Sequence, residues 1–153
     1  MNTPSRILAA SLVAIVALAA SALWPGLKDA SAAKPERRPT VVYHIDDPAR
    51  AIPMIRNITN HRRADAGIRI VVVALGGGID FLVDGAMDDR GNSFDALVDP
   101  LMGEGVEFRV CSNTLKGRGI AAEKLLPDVQ VVPAGVAEVA RLQLEEGAAY
   151  LKP

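Results

Sequence analysis

Cys111 is the only cysteine in the chain, and its surroundings are those of a working thiol. It closes the run Val106-Glu107-Phe108-Arg109-Val110 and opens the polar, glycine-containing segment Ser112-Asn113-Thr114-Leu115-Lys116-Gly117. That change of pattern reads as a strand stopping where a helix starts. Backbone N–H groups at a helix N-terminus favour an anion, and the thiolate is the nucleophilic form of cysteine. The N–H groups of Ser112, Asn113 and Thr114 are the candidate partners. A small inert hydrophobe is the competing reading, and it would sit more naturally inside the apolar run than at its end.

His44 is one of two histidines. At the end of the first apolar run it could polarise Cys111 or relay a proton; a partly buried, structural histidine is the alternative. His61, within His61-Arg62-Arg63, reads as solvated. Gly76-Gly77-Gly78 follows another apolar run at once. It lacks both the GxGxxG spacing and the lysine of a phosphate loop. A tight turn that brings backbone close to a site is the plainer reading, though its N–H groups could bind an anion. Asp46-Asp47 and Asp88-Asp89 read as caps and solvated loops. One cysteine and two scattered histidines give no zinc spacing, and no Gly-x-Ser-x-Gly elbow is present. Neither a metal nor a cofactor is expected.

The elements that must carry these residues alternate. Val41–Ile45 reads as a strand, with Asp46 or Asp47 capping the helix that follows and Pro48 in its first turn. Ala51, Ile52, Ile55 and Ile58 recur at helical spacing, and Ala66-Gly67 ends that segment. Ile68–Leu75 contains an unbroken apolar and β-branched run, as expected of a strand covered on both faces of a parallel sheet. A short helix is expected over Ile79–Met87, a polar loop over Asp88–Ser93, and a helix over Phe94–Met102 kinked at Pro100. Val106–Val110 is the third strand. Thr114–Gly119 is a helical turn, with Ile120–Leu126 a candidate extension. Val129–Val132 is a fourth strand, Pro133-Ala134-Gly135 a turn, and Val136–Glu146 a helix stopped by Gly147.

This order implies an α/β fold, a three-layer α/β/α sandwich with a small, mainly parallel sheet of four strands. In such sheets ligands collect beyond the carboxyl ends of the strands. Those ends are His44–Asp47, Gly76–Gly78, Cys111–Thr114 and Pro133–Gly135, so Cys111 belongs to the edge where the architecture places its sites.

The N-terminus reads as a segment outside the fold. Arg6 supplies a positive start, Ile7–Trp24 is almost wholly apolar, Pro25-Gly26 breaks it, and Ala30-Ser31-Ala32 has the small-x-small form of a cleavage site. Residues 1–32 are therefore expected to be a signal peptide cleaved after Ala32, residues 33–40 a flexible lead-in, and residues 41–153 the domain. The product would be periplasmic or secreted, with no remaining membrane attachment. The alternative is an uncleaved anchor facing the periplasm, since the apolar stretch is near the lower limit of about 17–25 residues for a span. Export sharpens the question of Cys111. An oxidising compartment pairs cysteines, and a lone one must be buried, joined to another molecule or kept as a working thiol. The net charge of −1 implies no basic face, and nucleic acid is not an expected partner.

Val106-Glu107-Phe108-Arg109-Val110-Cys111-Ser112-Asn113-Thr114-Leu115 resembles the cysteine signature of the DsrE/DsrF-like family. Val42-Tyr43-His44-Ile45-Asp46-Asp47 is similar to the opening of its small single-domain members. Val132-Pro133-Ala134-Gly135-Val136-Ala137-Glu138 and Gly147-Ala148-Ala149-Tyr150-Leu151-Lys152-Pro153 are similar to their C-terminal end. The resemblance implies a three-layer α/β fold and assembly into trimers or hexamers. It also implies a sulfur-relay role, in which the cysteine matched by Cys111 takes persulfide sulfur from a donor protein and passes it to an acceptor. The relays of the best-known members are intracellular, whereas this chain carries an export signal. The alternative is a non-catalytic oligomeric module that binds a small anion or a partner protein at the same edge.

Overall fold

The computed structural model describes residues 38–153. The expected signal peptide, its cleavage point and most of the lead-in lie outside the described residues. Five strands form one sheet: β1 Thr40–Ile45, β2 Arg69–Ala74, β3 Glu107–Cys111, β4 Gln130–Val132 and β5 Ala149–Leu151. The order is β4-β3-β2-β1-β5, and every pairing is parallel. All five carboxyl ends therefore meet at one edge.

The alternation of side chains along the strands sorts the molecule into two unequal faces. Val41, Tyr43, Ile45, Ile70, Val72, Ala74, Phe108 and Val110 point to the larger core. There they meet Met54, Ile55 and Ile58 of helix α1 (Ala51–Ala64) and Val98 and Leu101 of α2 (Asp95–Gly103). Phe81 is fully buried among them, edge-on to Phe94 and Phe108. Each such side chain contributes roughly 1.5–3 kcal/mol of burial free energy. Val42, Val71 and Val73 point the other way, onto Val139, Leu142 and Ala148. Their cover is a single helix, α4 (Gly135–Glu146). The result is the expected α/β/α sandwich.

Several local expectations hold. Asp47 caps the turn after β1, its carboxylate accepting from Ala49 N–H at 2.9 Å, with Pro48 next. Gly147 ends α4 with φ +68°, a left-handed position that suits glycine. Asp88 accepts from the N–H groups of Arg90 and Asn92 and so closes its own turn.

Others need correction. The sheet has a fifth strand, not four in all: Ala149–Leu151 pairs with β1. The expected helix over Ile79–Met87 is instead a 3-10 stretch at Gly76–Leu82. After it, Val83 and Met87 make isolated antiparallel bridges to Leu125 and Ser93. Helix α3 (Ser112–Arg118) stops at Gly119 with φ +65°, so Ile120–Leu126 does not extend it and holds only a 3-10 turn at Ala122–Lys124. His61 is not simply solvated. It is half-buried, with Nδ1 3.0 Å from the Tyr43 hydroxyl.

Candidate functional site

Cys111 is the last residue of β3 and the cap position of α3, with extended backbone (φ −69°, ψ 117°). Its side chain falls on the α4 face, because Phe108 and Val110 take the other one. The residue is 7% exposed. Burial pushes the thiol pKa up. The N–H groups of Gly135, Thr114 and Asn113 and the Thr114 hydroxyl outweigh it and bring the thiol below its ordinary value. Two chain segments supply these donors: the first turn of α3 and the first residue of α4.

Gly135 is at its position for a steric reason. A Cβ there would lie 3.2 Å from Cys111 Cβ and 3.0 Å from Leu75 Cδ2. Glycine lets the start of α4 settle directly on the end of β3.

The Thr114 hydroxyl serves two groups. It favours the Cys111 thiolate and accepts from Gly76 N–H at 3.0 Å. One side chain thus ties the ends of β2 and β3 together across the sheet. Arg118 adds a second tie, donating to Gly76 O at 3.1 Å and pairing with Asp80.

The glycine triplet is close backbone packing. Gly76 has φ +57°, and a Cβ on Gly78 would stand 2.4 Å from Ile45 O. Gly78 N–H already donates to Leu75 O at 3.0 Å, and Gly76 N–H to Thr114. Two of the three donors considered for an anion are therefore committed within the chain.

His44 lies at the same edge and on the same face, but β2 separates its strand from β3. Its Nδ1 is 2.8 Å from the Tyr150 hydroxyl on β5, and its buried Nε2 has no partner. Burial lowers its pKa, opposed by Asp46 and assisted by Lys152. Asp46 and Lys152 pair at 2.7 Å above it. The edge therefore carries two separate groupings: Cys111 with Thr114, Asn113 and Gly135, and His44 with Tyr150, Asp46 and Lys152. Within one chain, His44 is not among the groups gathered at the thiol. It is β5, a strand that the sequence pattern does not signal, that brings Tyr150 to His44. Among the described residues, no three His, Cys, Asp or Glu side chains gather where they could hold a metal ion.

A small all-parallel α/β sandwich, with a buried cysteine at a strand-to-helix junction, defines the class. Residues 44–153 match the model of the DsrE/DsrF-like family, and the chain belongs to it. Among solved structures it is similar to MTH1491, a protein of unknown function from Methanobacterium thermoautotrophicum. The two are 37% identical over 75% of this chain and 99% of that one, with a TM-score of 0.66. It also resembles the ychN protein from E. coli in fold, at 15% identity over 76% of this chain and 99% of that one, TM-score 0.61. No curated protein matches the chain.

Proposed function

We propose that this protein is an exported sulfur carrier or sulfurtransferase working through Cys111. The observation that carries the reading is one buried sulfur at a strand-to-helix junction, with the N–H groups of Gly135, Thr114 and Asn113 and the Thr114 hydroxyl beside it. They favour the thiolate, which is the form that attacks sulfane sulfur. In the step proposed, Cys111 Sγ attacks the outer sulfur of a persulfide, polysulfide or thiosulfate. The donor's S–S bond breaks, the thiolate, shortened polysulfide or sulfite leaves with the electron pair, and Cys111 becomes a persulfide. The same donors then hold the terminal sulfur anion until an acceptor thiolate removes it. Membership in a family associated with sulfur relay supports this reading.

The apolar leader over residues 7–24 and the Ala30-Ser31-Ala32 site support export, with a mature chain that begins near Ala33 and lacks Trp24. The family resemblance supports a trimer or hexamer, and sedimentation of the mature domain tests that. The burial of Cys111 favours a second reading, a non-catalytic oligomeric module that binds a small anion or a partner at this edge. One experiment separates the two. Purified protein is incubated with polysulfide or thiosulfate and weighed intact. A gain of one sulfur, about 32 Da, that disappears in Cys111→Ser supports the carrier. No gain with any donor leaves the binding module.

A further inference from the structure

Three arginines and three glutamates close a ring on the α4 face of the sheet. Arg69 of β2 pairs with Glu107 of β3 at 2.7 Å, and Glu107 also pairs with Arg109. Arg109 reaches Glu138 of α4, which accepts from Arg141 at 2.8 Å. Arg141 reaches Glu146 at 2.7 Å, and Glu146 returns to Arg69. Every carboxylate holds two guanidinium groups. The Arg109 and Glu138 side chains are each 11% exposed, so this stretch of the ring is shielded from screening.

The ring grips α4 near both ends, at Glu138 in its first turn and Glu146 in its last. Other cover on this face is slight: three valines of the sheet against Val139, Leu142 and Ala148. Smooth aliphatic contact of that size lets a helix slide, whereas paired charges fix its register. Arg109 lies two residues before Cys111 on the same face of β3, and Glu138 three residues after Gly135. The Arg109–Glu138 pair therefore joins the strand that carries the sulfur to the helix end that supplies a donor to it.

We propose that Glu138, held by Arg109 and Arg141, is a positioning residue that seats the start of α4 on Cys111. The proposal deepens the reading of Cys111 as a working thiolate and rests on it. Without the pair, the first turn of α4 lifts, Gly135 N–H moves off Sγ, and the thiol becomes harder to ionise.

The test is the pH dependence of Cys111 alkylation by iodoacetamide in the wild type, Glu138→Gln and Glu146→Gln, each checked for folding by circular dichroism. Two effects of Glu138→Gln carry opposite signs. Loss of a negative charge near the sulfur lowers the midpoint, whereas loss of the seat raises it. The expected result is a raised midpoint in Glu138→Gln and an unmoved one in Glu146→Gln, which loosens only the far end of the helix. An unmoved or lowered midpoint in Glu138→Gln, beside a depressed wild-type midpoint, overturns the positioning role and leaves the thiolate reading standing. A wild-type midpoint at the ordinary cysteine value overturns both. Should Glu138→Gln not fold, Glu138→Asp keeps the charge but shortens the reach, and the same rise is expected of it.

Discussion

Replacing Thr114 with valine removes one hydroxyl and leaves the side chain's shape almost unchanged. That hydroxyl is one of four groups that favour the Cys111 thiolate and the acceptor for Gly76 N–H. Two effects follow, and they are read in different assays. A hydrogen bond to a charged group contributes about 1.5–3 kcal/mol net, and sulfur is a weak acceptor, so the lower end applies. At 1.36 kcal/mol per unit, the Cys111 midpoint should rise by about one pKa unit. Gly76 N–H meanwhile loses its partner in a tightly packed loop, which costs about 1–3 kcal/mol of stability.

The first effect appears in the pH profile of iodoacetamide alkylation, the second in denaturant unfolding. Thr114→Ser keeps the hydroxyl and gives up only a methyl group, so its alkylation midpoint should stay near that of the wild type. If Thr114→Val unfolds more easily but alkylates with the wild-type midpoint, the hydroxyl serves the Gly76 turn alone, and the donor set at the sulfur is one fewer than described.

Two further outcomes are expected. His44→Ala should leave the alkylation midpoint of Cys111 where it is, because His44 answers to Tyr150 and β2 stands between it and β3; a raised midpoint would bring the histidine back to the thiol. The Arg–Glu ring should weaken in acid. Burial pushes Glu107 and Glu146 up, but their arginines more than offset it; Glu138 is held down first by its bond to Arg141, so all three stay below the ordinary carboxylate range. A depressed folded-state pKa means stability that is present above the unfolded value of about 4.3 and lost as pH falls below it. Unfolding midpoints measured from about pH 6 down to pH 3 should therefore fall in the wild type and fall less in Glu138→Gln.

The larger core and its strands were legible because their signals are local. Ile70–Ala74 is β-branched and apolar without a break, and it is the central strand. Ala51, Ile55 and Ile58 at helical spacing do face the core. Cys111 was legible for the same reason: a change of periodicity at one residue marks a junction. What escaped was non-local. Ala149–Leu151 is three exposed residues, and nothing in them signals a strand until β1 is present to pair with. The charged ring was hidden in a run read as simply apolar. Glu107 and Arg109 alternate with Phe108 and Val110, and that period of two places both charges on the face opposite the phenylalanine. Matching them with Glu138 and Arg141, three apart on a helix, was the available signal.

The fifth strand changes what His44 can be. In a sheet ending at β1, His44 would stand at an open edge, free to turn toward whatever the carboxyl ends bind. With β5 in place, Tyr150 pairs opposite Val42 and its hydroxyl takes Nδ1. Lys152 closes over Asp46 just beyond. Burial lowers the pKa of a histidine so engaged, with Asp46 opposing and Lys152 assisting. The thiol side of the edge is built differently. Its donors are mostly backbone N–H groups, which cannot titrate, and their aim depends on where α3 and α4 begin. Ionisation of the Cys111 thiol thus depends on the placement of two helix starts, and a charge pair 29 residues apart in sequence joins one of those starts to the strand that carries the sulfur.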